Sequence, residues 1–280
     1  MSIELPEAHI LAEQMDRELR GKQISSYGLF EYQKMQRIGF INKNLHDFDL
    51  LLNGRIQCVV SRGNVVRIQI NKEMNLLLAP EYGGRIHYHA DQKTVPEKVH
   101  LKVDFADETA LTVRLTGMGL IYAANDHELE LVYVYRRDFS ETPSPLDTKK
   151  FTIDYFLRLL QDKRMTLKTA LVGREAVVVG LGNSAFQDII YRARLHPKRT
   201  TTELSPEEKR ALYEAIQLVV HERIRFGGKD QFFDLHGEQG RYTPAMGPNM
   251  KDKTCLACGK PVEKLSAGGG FVYYCPKCQK

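Results

Sequence analysis

The sequence predicts an α+β protein: an N-terminal helix and an antiparallel β-sandwich lobe, followed by a helical lobe that ends in a four-cysteine hairpin. Three observations carry this. From Ile56 to about Tyr135 the chain falls into short runs of alternating hydrophobicity with turn residues between them, the period of strands. After Glu141-Thr142-Pro143-Ser144-Pro145-Leu146-Asp147 the apolar spacing becomes helical. Four of the five cysteines sit near the C-terminus as Cys255-x2-Cys258-x16-Cys275-x2-Cys278.

The elements follow in order. Leu11, Met15 and Leu19 at i+4 spacing behind Pro6 predict a helix over about residues 6–20, with Gly21 just past its end. Strands are expected at Ile56–Ser61, Val65–Ile70, Arg85–His89, Leu101–Phe105 and Leu111–Leu115, the first two joined through Arg62-Gly63-Asn64. Helices are expected at Phe151–Gln161, Thr166–Leu171, Ser184–Arg194 and Ser205–Arg225. The last opens with Ser205-Pro206-Glu207-Glu208, a capping serine with a glutamate three residues on. The domains then read as 1–140 for the N-terminal helix and sandwich, 141–150 for a linker, 151–248 for the helical domain and 249–280 for the cysteine hairpin.

Composition narrows the function classes. With 42% hydrophobic and 27% charged residues the chain is globular rather than disordered. No apolar run approaches the roughly 20 residues of a membrane span. The start of the sequence lacks a basic segment followed by an apolar core, so a secretory leader is not expected and a cytoplasmic location is. The net charge of +5 is uneven: residues 1–150 hold 19 Lys+Arg against 21 Asp+Glu, and residues 151–280 hold 21 against 14. A basic second half fits a polyanionic partner.

The cysteine spacing fits a tetrahedral four-thiolate zinc site. Each C-x2-C pair forms a knuckle offering two sulfurs, and the segment between brings the pairs together. Two disulfides are the competing arrangement, and nothing in the sequence indicates an oxidising compartment. With all four positions filled by protein, one structural ion is expected, with no open ligand site for catalysis. Cys58 stands alone in an apolar run and reads as core. His87 and His89 share one strand face, as metal ligands can, but with no third ligand nearby they read as paired strand histidines.

Val177-Val178-Val179-Gly180-Leu181-Gly182-Asn183, a following amphipathic helix and Leu195-His196-Pro197 resemble the helix–two-turn–helix of the formamidopyrimidine-DNA glycosylase/endonuclease VIII family. Glu4-Leu5-Pro6-Glu7, the hairpin from Asn53-Gly54-Arg55-Ile56 to Arg62-Gly63, and the closing Cys275-Pro276-Lys277-Cys278-Gln279 are similar to that family in the same order. The resemblance implies a zinc finger as the C-terminal element and double-stranded DNA, damaged or abasic, as partner of a monomer. It also implies base excision repair chemistry, in which a flipped damaged base is removed by attack of an N-terminal proline amine on the sugar C1′.

Residue by residue the resemblance is mixed. Glu4 matches the catalytic glutamate, though it could instead be a capping acid before the helix that begins near Pro6; Glu7 matches the second N-terminal acid and Asn183 the phosphate-holding asparagine, which could also cap its helix. Arg62 and Lys264 are further candidates for DNA contact. Ile3 stands at the proline position with Ser2 before it. Removal of Met1 would make Ser2 the free amine, one residue, or about 3.3–3.6 Å, further from Glu4. Attack needs atoms about 3–3.5 Å apart, and about 1 Å of misplacement can lower the rate about a hundredfold. Asn64 replaces the hairpin lysine and Gly270 the finger arginine. Gly117-Met118-Gly119-Leu120-Ile121 replaces the tract that fills the gap left by the flipped base, with Met118, Leu120 and Ile121 available as wedges or as sheet core. The expectation is a DNA-binding protein of base excision repair type whose lyase chemistry is weak or lost. Glu4 would activate water instead. The alternatives are an inactive binder of damaged or bent DNA, and a protein that keeps only the fold and meets RNA or another protein.

Overall fold

The computed structural model describes residues 3–280 except 72, 82, 133–134, 137–142, 162–163, 174 and 269. Met1 and Ser2 thus lie outside the described residues, as do parts of the expected linker. The chain forms two compact units, Met1–Ser140 with Phe226–Arg241, and Glu141–Arg225 with Tyr242–Lys280.

The first unit opens with α1 (Leu5–Leu19), whose buried Leu5, Ala8, Leu11, Ala12, Met15 and Leu19 form one apolar face. That face packs on β2 (Ile56–Arg62) and β3 (Val65–Ile70). These two strands join β4 (Met74–Pro80) and β8 (Gly119–Asn125) in an antiparallel sheet of order β2-β3-β4-β8. A second sheet runs β1-β6-β7-β5, from β1 (Ile24–Leu29), β6 (Leu101–Phe105), β7 (Ala110–Arg114) and β5 (Arg85–His89).

The strands expected at 65–70, 85–89 and 101–105 form with those bounds; β2 extends through Arg62, and β7 starts at Ala110 and ends at Arg114. In this unit β1, β4 and β8 lie outside the expected strands. All seven residues of β4 are buried, so it shows no alternation, while β1 buries only Ile24 and carries two serines and a glycine. In β8, Leu120, Ile121, Ala123 and Ala124 are buried, so Leu120 and Ile121 are sheet core. Met118, just before it, is 45% exposed. Cys58 is half-buried rather than fully in the core, with its thiol on the Gln69 amide oxygen (2.6 Å).

The segment 226–241 is tied back onto the first unit. The Glu7 carboxylate, fully buried, accepts the Lys229 backbone N–H (3.2 Å) through Oε1 and the Glu4 backbone N–H (3.0 Å) through Oε2. Gln14 grips both sides of the turn, donating to Asp234 (2.7 Å) and accepting from the Leu235 N–H (3.0 Å). A Cβ at Gly240 would lie 2.4 Å from the Lys229 carbonyl and 2.5 Å from that of Gly228, so the segment closes only around a glycine.

In the second unit, after two short helices in the first, α2 (Tyr32–Arg37) and α3 (Asp126–Leu129), come α4 (Ile153–Leu160), α5 (Leu167–Leu171), α6 (Asn183–Arg192) and α7 (Pro206–Arg225). Thr152 and Thr166 cap α4 and α5 through their hydroxyls (3.2 and 3.1 Å). At α7 the expected capping box forms: Ser205 Oγ accepts the Glu208 N–H (3.2 Å) and Glu208 returns to the Ser205 N–H (2.8 Å). Helix α6 packs against α7 and against β10 (Gly270–Tyr274), which pairs with β9 (Glu263–Ala267) in the terminal hairpin. No helix among the described residues is long and apolar enough to cross a membrane.

Truncating Glu7 would leave two buried N–H groups unsatisfied. Glu7→Ala is expected to lower stability by about 2–4 kcal/mol. Urea unfolding of the variant beside the wild type measures it.

Candidate functional site

The expected catalytic residues lie at the start of the first unit. Glu4 is 4% exposed and occupies the N-cap position of α1 with extended backbone (φ −120, ψ 179). Ile3 is buried, and its amide N–H donates to the Pro80 carbonyl at the end of β4 (3.5 Å). The nitrogen at the proline position is therefore a peptide amide engaged in a backbone hydrogen bond, with no lone pair available to a carbon electrophile. Beside Ile3 a small concavity of about 50 Å³ is lined by Gly84, Arg85, Lys229, Phe232 and Phe233, and the Arg85 guanidinium lies 4.1 Å from the centre of the Phe233 ring. It has room for a few waters. Ser2, the candidate amine, falls outside the described residues.

Around the β2–β3 turn, Arg62 is half-buried, and its Nε is buried without a hydrogen-bond partner among the described residues. Asn64 sits in that turn. His89 is hydrogen-bonded at both ring nitrogens, to Thr94 (2.9 Å) and Thr112 (2.8 Å), and burial holds both His87 and His89 below the ordinary histidine range. Among the described residues no third ligand joins them, and they form no metal group.

The second unit holds the metal-competent cluster. Sγ atoms of Cys255, Cys258, Cys275 and Cys278 all lie within 4.8 Å of one another, the only such group of three or more ligands among the described residues. Cys258 and Cys275 lie 3.4 Å apart and Cys255 and Cys278 3.8 Å apart. These spacings are too long for disulfides. They match the roughly 3.8 Å edge of a tetrahedron with metal–sulfur bonds of about 2.3 Å. The cluster can hold one metal ion with no open position.

Its surroundings favour thiolate at one sulfur. Burial opposes ionisation of Cys255, but the Tyr191 hydroxyl (3.3 Å) and the Ala257 and Cys258 amides pull its thiol down to about 6. Hydrogen bonding among the crowded sulfurs, Cys258 foremost, pushes Cys278 up to about 12. Four such groups reach full charge together only around a cation. Met246, Met250, Tyr191 and Tyr273 pack around the cluster, and Gln279 joins it to the chain just beyond α6 by accepting the Cys275 N–H (2.8 Å) and donating to the Leu195 carbonyl (2.9 Å).

Asn183 is the first residue of α6, and Gly182 takes the N-cap; Asn183 is therefore not the capping residue. Its amide donates to the Phe271 carbonyl of β10 (3.0 Å), and Gln187 one turn later accepts the Tyr273 N–H (2.7 Å). Asn183 Oδ1 is buried with no partner among the described residues. Lys264 lies across the hairpin with its ammonium 4.1 Å from the centre of the Phe271 ring, which is 58% exposed. Asn183 and Lys264 thus both reach Phe271, the residue that follows Gly270. Sequence reasoning missed Tyr191 and Lys168; Lys168 sits on α5 and reaches the Ala267 carbonyl (2.7 Å). Neither carries a local signal, because each acts on a residue about 60 to 100 positions away.

A helix-led pair of antiparallel sheets, followed by a helical unit closed by a thiolate-clamped hairpin, is the architecture of the helix–two-turn–helix proteins. The model of the formamidopyrimidine-DNA glycosylase H2TH domain matches residues 142–233. A formamidopyrimidine-DNA glycosylase of Bacillus licheniformis is 27% identical over 282 residues, 99% of each chain. One from Cytobacillus firmus is 27% identical over 238 residues, 82% of this chain and 83% of that one. Among solved structures, the Lactococcus lactis Fpg in complex with an abasic site containing DNA aligns with a TM-score of 0.85 at 20% identity, over 99% of both chains. MutM (Fpg) from Thermus thermophilus aligns at 0.81 and 22% identity, over 99% of this chain and 98% of that one. The chain therefore carries a formamidopyrimidine-DNA glycosylase H2TH domain at residues 142–233, is similar along its length to formamidopyrimidine-DNA glycosylases, and shares the fold of Fpg.

Through its hydroxyl Tyr191 contacts Cys255, one of the four sulfurs that could hold a metal ion. Tyr191→Phe is expected to weaken metal binding about tenfold, measured by competition with a chromophoric chelator, with the hairpin otherwise intact.

Proposed function

We propose that this protein is a DNA glycosylase of base excision repair that removes a damaged base by hydrolysis, without a covalent enzyme–DNA intermediate. The observation that carries this is the contrast between two adjacent residues. Ile3 presents an amide bound to the Pro80 carbonyl, whereas the carboxylate of Glu4 is retained and buried. An amide cannot form a Schiff base; a buried carboxylate can orient water toward the sugar C1′ and take its proton as the glycosidic bond breaks. The products are a free base and an uncut abasic strand. The named activity of the relatives points to a purine with an opened imidazole ring as substrate class.

Double-stranded DNA is the partner. Asn183, Arg62 and Lys264 are proposed to meet its phosphates, which fix position without reading sequence. Zinc is the metal proposed for the cysteine cluster, because four thiolates at tetrahedral spacing suit it. Cys255, Cys258, Cys275 and Cys278 would hold it, and its role is to fix the hairpin that carries Lys264. The proposed location is the cytoplasm, at the nucleoid in a bacterial cell.

Borohydride trapping on a duplex with one abasic site separates the two chemistries. No covalent band is expected from folded, zinc-loaded protein, and Glu4→Gln is expected to reduce base release by at least about a hundredfold. A covalent band lost on blocking the N-terminus would assign the chemistry to the Ser2 amine. Full activity of the Glu4→Gln variant would remove Glu4 from catalysis.

A further inference from the structure

Lys168 is 9% exposed, among the most buried of the charged side chains of the second unit. Its ammonium has three donors. Among the described residues one of them is used, on the Ala267 carbonyl at the end of β9 (2.7 Å), and no carboxylate lies within ion-pair distance. A buried cation without a counter-charge is costly unless an anion completes it. Burial accordingly holds the Lys168 pKa below the ordinary lysine range.

The hairpin is shaped around this side chain. Gly268 has φ +50, and a Cβ there would lie 3.2 Å from Lys168 Cδ; at Gly270 it would lie 3.6 Å from Lys168 Nζ. The lysine stem thus fills the space beside the glycines, and its charged end arrives at Gly270, where the finger has no side chain of its own. On the same face a cavity of about 280 Å³ opens between Lys168, Thr169, Val172, Gly173, Glu175 and Gly268. Asn183 reaches the next residue of the strand, Phe271, from α6.

We propose that Lys168 is a phosphate-binding residue: its ammonium, delivered from α5 through the glycines of the hairpin, supplies beside Asn183 the cationic contact that Gly270 cannot. The ligand is a phosphodiester of the DNA backbone. This rests on the DNA-binding function proposed above. A purely structural role, tying α5 to the Ala267 carbonyl, is the competing assignment, and the two differ in how they respond to salt and to a displaced charge.

The test uses the zinc-loaded full chain and a fluorescent duplex carrying a tetrahydrofuran abasic-site analogue, titrated at several salt concentrations. K168M is expected to bind about tenfold more weakly, with the log–log salt slope flattened by about 0.9, one phosphate contact. K168R is expected to keep the slope. The double variant K168M/G270R, which returns the charge from the finger without restoring the Ala267 hydrogen bond, is expected to regain it. Zinc content and melting temperature are measured on each variant. Should K168M lose zinc or fail to fold, the lysine Nζ resonance of Lys168 in the wild-type protein is expected to shift on adding the duplex. An unshifted resonance, or K168M binding with unchanged slope, would overturn the assignment. If the wild-type protein binds neither this duplex nor an undamaged one, the DNA-binding function fails first and the lysine assignment with it.

Discussion

The buried carboxylate of Glu7 sets the geometry of the first unit. Fully enclosed, it joins two stretches of chain more than 200 residues apart by accepting the Glu4 and Lys229 amides. A buried charge tolerates such a place only when its oxygens are hydrogen-bonded. The Glu4 end of that clamp fixes where α1 begins, and with it where Ile3 meets the Pro80 carbonyl. Under the proposed hydrolysis, the group that would face a sugar C1′ follows from this placement. At the position that the family resemblance assigns to a proline amine, this chain has an amide nitrogen one residue from a buried carboxylate.

A second constraint organises the other unit. Four sulfurs cannot carry full negative charge at 3.4–3.8 Å without a cation among them. A metal ion bound there would hold the hairpin in place, and the hairpin in turn presents Lys264 and receives Asn183, Gln187 and Lys168. Tyr191 and Gln279 connect the cluster to α6 and to the chain just beyond it. The electrostatic surface offered to a polyanion is thus assembled from three elements and cannot be read from the lysines of the finger alone.

Much of this was legible in the sequence where the determining contacts are local. Two C-x2-C knuckles fix a thiolate cluster by their own turns, the Ser205 capping box needs only four consecutive residues, and β3 shows its inner and outer faces by alternation. Legibility ended where partners are distant or a pattern is absent. Strand β4 is buried on both faces and β1 on almost neither, so neither alternates. The return of residues 226–241 to the first unit depends on Glu7 and Gln14, far away in the chain. The helix expected from Ser184 begins at Asn183, because Gly182 already provides the extended N-cap. Lys168 looked like any helical lysine, and only the glycines it fills reveal what its side chain does.

The central claim, base removal without covalent capture of the sugar, is tested most directly by the fate of the DNA strand. A duplex with one formamidopyrimidine lesion, labelled at one end, would be incubated with the protein and analysed on a denaturing gel with and without hot alkali. Expected is an intact labelled strand that breaks at the lesion only after alkali. Breakage without alkali, leaving the sugar-derived ends of β- or β,δ-elimination, would contradict it.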